Sequence, residues 1–114
     1  MEFNNIVQGL INKSLFTKRQ IEIITTILDN NKQTLPISRG AYYRQVGQVK
    51  AKTEAVMYSV ILLHVMGVLP SESLMAIPVI SEQISVIFDS DIDEMHGQQV
   101  LDVLEKTIKA SMKL

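Results

Sequence analysis

An apolar stripe in the middle of the chain constrains its fold more than any other feature of the sequence. The members of this stripe recur in alternating steps of four and three residues: Tyr42, Val46, Val49, Thr53, Val56, Val60 and Leu63. A 3.5-residue repeat of this kind is typical of a helix that packs against other helices along its length. The stripe therefore predicts one long central helix, with a bend at Gly47 as the alternative.

Local signals indicate where this helix begins and ends. Ser38 is a preferred N-cap residue, whereas Gly67 with Pro70 shortly after it forms a typical C-terminal stop. We therefore expect the helix to run from Ser38 to Met66. The apolar stretch 55–69 at its end has 15 residues, fewer than the roughly 20 that a membrane-spanning helix needs. A buried helix or a subunit interface is the expected role of this stretch.

Two shorter helices are predicted before the long one. Apolar residues at helical spacing indicate a first helix over residues 2–13. Thr17 and Gln20 form a capping-box pattern, so that a second helix is expected from Thr17 to Asp29. The residues predicted to face inward on this second helix are Ile21, Ile24 and Leu28. Residues 30–37 then separate the second helix from the long one.

Two more helices are predicted after the long one. Ser71 is the expected cap of a fourth helix, which Pro78 should kink or split. Its predicted inward residues are Leu74, Ile77, Ile80, Ile84 and Phe88. The segment 83–88 taken alone is also compatible with a strand, although the surrounding spacing favours a helix. A final helix is expected from Asp93, and its predicted inward residues are Val100, Leu101, Leu104, Ile108 and Met112.

These elements together predict an all-α fold, a bundle of four to five helices in a single domain over residues 1–114. The length of 114 residues and the apolar content of 46% suit one shared core. There is no cysteine, which excludes disulfides, thiolate metal sites and a cysteine nucleophile. Because the N-terminus lacks the basic and apolar segments of a secretory signal, we expect a cytoplasmic protein.

Charge divides the chain into two regions of opposite sign. Residues 13–52 contain eight basic residues and two acidic ones, whereas residues 53–105 contain nine acidic residues and no lysine or arginine. The region 13–52 is therefore a predicted nucleic-acid-binding region, because a basic segment of this kind favours a polyanionic partner. The region 53–114 is predicted to be an apolar and acidic bundle for dimerisation. A chance distribution of solvated charges is the alternative.

The face of the long helix opposite its apolar stripe is the candidate interface. It carries Arg44 and Gln48, side chains suited to the base edges of guanine and adenine, among small residues that allow close approach. Basic and hydroxyl groups beside them suit phosphate contacts. The predicted nucleic-acid-binding residues are Thr17, Lys18, Arg19, Ser38, Arg39, Gly40, Tyr43, Arg44, Gln48, Lys50 and Lys52. Packing of a second helix against the same small residues is the alternative.

Other candidate sites are weaker. Asp89, Asp91 and Asp93 imitate the first ligands of a calcium loop, but the sixth and twelfth positions of that pattern lack the required glycine and glutamate. His64 is expected to be a hydrogen-bonded interior histidine, and His96 to lie in the acidic loop. Because these residues form no catalytic set, we expect no enzyme, no cofactor and no metal.

The runs Ser38–Gln48, Tyr58–Leu63 and Gly67–Leu69, with the upstream run Leu15–Ile24, resemble segments of small archaeal helix-turn-helix DNA-binding regulators. The likeness covers residues 15–69. It implies that the second helix supports a recognition helix beginning at Ser38. The eight-residue spacing between these helices departs from the usual turn of three or four residues.

The expected function is that of a DNA-binding protein, either a transcriptional regulator or a chromatin-like architectural factor that binds duplex DNA. We expect a homodimer with Val56, Val60 and Leu63 in its interface, and a protein partner on the acidic half is a further expectation. No membrane association is expected. The alternative is a non-catalytic protein-interaction adaptor, or a small helical subunit of a nucleic-acid-processing complex.

Overall fold

The computed structural model describes residues 3–29, 35–88 and 91–114. Over these ranges the chain forms five helices and no strand. The helices are α1 (Asn5–Lys13), α2 (Lys18–Leu28), α3 (Arg39–Val65), α4 (Ser71–Ile87) and α5 (Glu94–Ser111). The predicted all-α fold is therefore confirmed. Residues 1, 2, 30–34, 89 and 90 lie outside the described residues. They include Glu2 at the predicted start of the first helix and most of the predicted segment 30–37 between the second and third helices.

Side-chain caps determine where four of the helices begin. Thr17 forms the predicted capping box: its hydroxyl accepts from the Gln20 amide, and the Gln20 side chain accepts from the Thr17 amide. Ser38 accepts from the Ala41 amide at the start of α3. Asn4 and Asp93 do the same for α1 and α5. Each cap satisfies backbone N–H groups that have no partner within the helix.

The long helix α3 is continuous and runs through Gly47 without a break. It contains 27 residues and is about 40 Å long at 1.5 Å per residue. Gly67, with a φ of +85°, ends it in the left-handed conformation that glycine tolerates best. The amides of Val68 and Leu69 both donate to the Leu63 carbonyl.

The fourth helix differs from its prediction at its N-cap. Pro70, rather than Ser71, occupies the N-cap position, and no side chain caps the first turn. Pro78 lies inside α4 without splitting it, and the segment 83–88 is helical up to Ile87. Proline fixes a φ that a helix accepts. Inside a helix it removes one backbone hydrogen bond, and its ring crowds the carbonyl four residues earlier.

The helices pack as a short chain of contacts rather than around one centre. α1 packs against α5 and α2, and α2 packs against α3, whereas α4 has little close backbone packing with other helices in the described ranges. Gly9 of α1 faces the Leu101 side chain of α5 so closely that a Cβ there would overlap it. The buried apolar residues of the described chain are Ile6, Val7, Ile11, Ile23 and Val49.

Several residues predicted to face the core are exposed instead. On α2 the buried residue is Ile23, whereas Leu28 is exposed. Ile77 and Phe88 are also exposed, and no residue of α4 is fully buried. Ile108 on α5 is exposed as well. The helical positions were predicted correctly, but burial requires a neighbouring element on that side, and the sequence pattern does not say where neighbours are missing.

The chain exposes far more surface than a compact protein of its mass. Its accessible surface is 8523 Å², whereas a compact monomer of 12.8 kDa exposes roughly 6,300 Å². Its radius of gyration is 15.9 Å, compared with roughly 13 Å for a typical domain of this length. An excess of about 2,200 Å² per chain therefore stays accessible in the isolated protomer.

Candidate nucleic-acid interface

The first half of α3, residues 39–52, has one side against the protein and one side open. Its buried and half-buried residues are Ala41, Tyr42, Gln45, Val46, Val49 and Lys52. Its exposed residues are Arg39, Gly40, Tyr43, Arg44, Gly47, Gln48, Lys50 and Ala51. Since successive residues turn by about 100°, this exposed set forms one continuous face. We call it the basic face of α3.

The predicted α3 contact residues other than Lys52 all lie on this face. Arg39, Arg44 and Lys50 supply positive charge, and no ion pair engages any of them within the described part of the chain. Glycine at 40 and 47 leaves space, because a Cβ at either position would meet nothing within 4 Å. The basic face can therefore approach a broad anionic surface closely without rearranging the fold.

Aromatic contacts order one flank of the basic face. The Arg39 guanidinium lies 5.7 Å from the centre of the Tyr43 ring, and the rings of Tyr42 and Tyr43 meet edge to face at 5.5 Å. Tyr42 is half-buried and Tyr43 is exposed, as the sequence predicted from their positions. A guanidinium over an aromatic face keeps its N–H groups available at its edge, where an anion can accept from them.

The residues predicted at the start of α2 have mixed availability. Lys18 is exposed, whereas the Thr17 hydroxyl already accepts the N-cap hydrogen bond. Arg19 is partly withdrawn, because its Nε lies 3.4 Å from a carboxylate oxygen of Glu22. Lys18 is therefore the freest of these three side chains for a phosphate.

Lys52 has a structural role that the sequence prediction missed. Its ammonium donates to the Leu15 carbonyl at 2.9 Å and to the Gln20 side-chain oxygen at 3.1 Å, and it lies over the Phe16 ring. Lys52 thus ties α3 to the capping box of α2. The prediction assigned Lys52 to nucleic-acid contact, but its donors are used inside the protein, and we leave it out of the candidate interface.

The second half of α3 exposes apolar residues where the first half exposes basic ones. Tyr58, Ile61, Leu62 and Val65 are 56–77% exposed. The predicted dimer residues Val56, Val60 and Leu63 are instead half-buried, because they lie on the same side of the helix as the buried Val49. The prediction followed the inward stripe and missed these exposed residues, which the apolar content of 55–69 could have indicated.

The two histidines have different partners. His64 is exposed, and its Nδ1 lies 2.7 Å from the Leu69 carbonyl, so it is hydrogen-bonded as expected but not interior. His96 lies in the first turn of α5. Its amide donates to Asp93, and its ring nitrogen lies 2.6 Å from the same carboxylate. These hydrogen bonds lower the pKa of Asp93, the backbone amide more than the ring.

The remaining candidate sites contribute no further group. Among the described residues, no three histidine or acidic side chains are arranged to hold a metal ion. Asp89, the first ligand of the imitated calcium loop, lies outside those residues. On α5, Glu105 pairs with Lys109 at 3.0 Å, and this hydrogen bond, with the positive charges of Lys109 and Lys13, lowers the pKa of Glu105. Glu105 and Lys109 on α5 thus form an ion pair. The basic residues on the basic face of α3 have no ion-pair partner among the described residues.

No family model, curated protein or solved structure matches this chain. The protein belongs by its structure to the all-α class. Across the ranges 3–29, 35–88 and 91–114, no helix has both the length and the apolar character needed to cross a membrane.

Proposed function

We propose that this protein binds duplex DNA through the basic face of α3, as a transcriptional regulator or a chromatin-like architectural factor. The observation that carries the proposal is the coincidence of Arg39, Arg44 and Lys50 with small residues on one exposed helix face. The major groove of DNA is about 12 Å wide and admits one α-helix. α2 contacts the opposite side of α3, and that leaves the basic face open for such docking.

The contacts divide by chemistry. Arg44 and Gln48 lie one turn apart on the basic face, where arginine reads guanine and glutamine reads adenine. Arg39 and Lys50 on the same face are the proposed phosphate contacts, with Tyr43 beneath the Arg39 guanidinium. The exposed Lys18 at the start of α2 is a further proposed phosphate contact. The Ser38 end of α3 adds amides and a positive helix dipole that favour an anion.

The proposal includes a homodimer, since the large apolar side chains exposed on α3 and α4 are typical of a surface that a partner covers. A two-fold pair presents two basic faces to one duplex. Half-sites spaced by one helical turn, about 34–36 Å, are the arrangement such a pair reads.

Salt-dependent binding of short duplexes tests the proposal. Each phosphate neutralised by a lysine contributes about 0.9 to the slope of log affinity against log salt. Lys50→Ala and Lys18→Ala are each expected to weaken binding to all sequences and to flatten that slope by roughly one unit. Arg44→Ala and Gln48→Ala are expected to cost about 1–3 kcal/mol on a preferred site, selected from random duplexes, and much less on random DNA.

Lys106→Ala is the matched control, because it removes an equally exposed lysine from α5, away from the basic face. It should leave both affinity and slope unchanged. If Arg44→Ala and Lys50→Ala fold normally and bind duplexes with wild-type affinity and slope, the DNA-binding proposal is wrong.

The second candidate function is a non-catalytic adaptor or a helical subunit of a nucleic-acid-processing complex. The exposed apolar residues on α3 and α4 favour it, because such patches commonly mark protein interfaces. The same duplex titration separates the two functions. An adaptor whose basic face meets an acidic protein shows no preferred DNA sequence, and its Arg44→Ala variant loses the protein partner instead.

A further inference from the structure

An open apolar groove lies between α4 and α5. Its volume is about 610 Å³, and its apolar lining comes from both helices: Ile80, Ile84, Ile87, Val100, Val103 and Leu104. A helix that is apolar on most sides is normally buried. α4 is rich in apolar residues and has only two charged ones, Glu72 and Glu82, yet none of its residues is fully buried. We call this cleft the α4–α5 groove.

Hydrogen bonds attach both ends of α4 to the rest of the protein. The Ser73 hydroxyl donates to the Ser111 carbonyl at the start of α4, and the Asn4 side chain donates to the carbonyls of Ile87 and Phe88 at its end. Between these ends, α4 and α5 have little close backbone packing. The cleft between them is open to the surface and can accept a third helix.

The same chain carries a stripe with the spacing that such a groove accepts. Tyr58, Ile61, Leu62 and Val65 stand at i, i+3, i+4 and i+7, the anchor pattern of a helix that lies in an apolar groove. Their exposed fractions are 66%, 56%, 58% and 77%. The stripe spans seven residue steps, about 10 Å along the helix axis, and the α4 wall from Ile80 to Ile87 spans the same length. We call these four residues the α3 stripe.

We propose that the α3 stripe of one chain occupies the α4–α5 groove of a second copy, and that the contact is made twice in a two-fold dimer. Each chain has both a stripe and a groove, so the contact is complementary and a two-fold axis closes it. The excess surface of about 2,200 Å² per chain exceeds the ~800 Å² per partner of a standard interface. This inference deepens the self-association in the proposed function and is independent of DNA binding.

Sedimentation equilibrium without DNA tests the pairing, with Val103→Asp in the groove and Leu62→Asp in the stripe. Both side chains are well exposed in the protomer, at 65% and 58%, so each variant should keep its helical circular dichroism. The wild type is expected to be a dimer at micromolar concentration. Each variant should weaken dimerisation by about tenfold or more, because the new carboxylate enters an apolar contact.

Mixing the two variants is the sharper test. A mixed dimer of Val103→Asp and Leu62→Asp contains one contact with both partners intact, so an equimolar mixture should associate more strongly than either variant alone. Met95→Asp is the matched control, because Met95 lies on α5 with 69% exposure and outside the groove lining. This control should remain a dimer.

Four results would overturn the pairing: a monomeric wild type, a Val103→Asp variant that dimerises normally, a Met95→Asp variant as impaired as Val103→Asp, or a mixture without recovery. Since DNA is absent from the measurement, failure of the DNA-binding proposal leaves this test unaffected. Conversely, DNA binding by a monomeric protein would support the DNA-binding proposal and contradict the pairing.

Discussion

The shortest helix and one of the most apolar helices of this protein have opposite surroundings. α1 has 9 residues and supplies three of the buried apolar side chains, Ile6, Val7 and Ile11. α4 has 17 residues, most of them apolar or small, and supplies no buried side chain. α1 contacts α5 and α2 along two sides, whereas α4 has little close backbone packing and is hydrogen-bonded to the rest of the protein at its two ends.

The difference teaches that apolar content alone does not decide burial in this protein. Burial depends on how closely two helices approach each other. Gly9 on α1 and Gly97 on α5 let these two helices come close together, and Asn5 lies beside Gly97. α4 has no glycine. We infer that packing of α1 contributes most to the stability of the isolated protomer, whereas α4 has an apolar surface that a partner can cover.

Truncating a buried side chain in α1 should have the largest effect. Ile6 is fully buried, so Ile6→Ala is expected to lower the free energy of unfolding by about 2–5 kcal/mol, through lost burial and the cavity left behind. Met75→Ala on α4 removes a side chain that is 73% exposed. This variant should change the free energy of unfolding by less than about 0.5 kcal/mol. Urea denaturation at low protein concentration measures both, and equal losses would abolish the contrast between α1 and α4.

Asn4 tests how α4 is attached, and its effect should be of intermediate size. Asn4→Ala removes the cap of α1 together with the donors to the Ile87 and Phe88 carbonyls, and we expect a loss of about 1–2 kcal/mol. Asn4→Asp keeps an acceptor for the Val7 amide but lacks the amide donors. Its α1 amides should stay protected from hydrogen exchange while those in the last turn of α4 exchange faster. Unchanged protection of α4 in both variants would show that its attachment lies elsewhere.

Two glycines should respond to alanine with opposite signs and the smallest magnitudes. At Gly9 the new methyl group collides with Leu101, and we expect a net loss of about 1 kcal/mol after the gain in helix propensity. At Gly47 the space is open, so Gly47→Ala should stabilise α3 by about 0.5–1 kcal/mol. Thermal unfolding of the two variants gives the comparison. A stabilised Gly9→Ala variant would mean that α1 and α5 are less closely packed than the structure indicates.

Local sequence signals predicted the helices of this protein well. The capping box at Thr17, the caps at Ser38 and Asp93 and the stop at Gly67 all act where they were expected. Each of these signals works through backbone groups within a few residues, so a single sequence is enough to recognise them. Two starts differ from the prediction. α1 begins at Asn5 after the Asn4 cap rather than at residue 2, and Pro70 rather than Ser71 occupies the N-cap position of α4.

The sequence also determined most of the candidate interface, since charge and helical spacing together place Arg39, Arg44 and Lys50 on one face. Only the tertiary structure decided that Lys52 is engaged with Leu15 and Gln20, that Leu28 is exposed, and that an open groove lies between α4 and α5. The physical reason is range. Capping and periodicity act within one or two turns, whereas burial and side-chain partnership depend on which distant elements come to lie alongside.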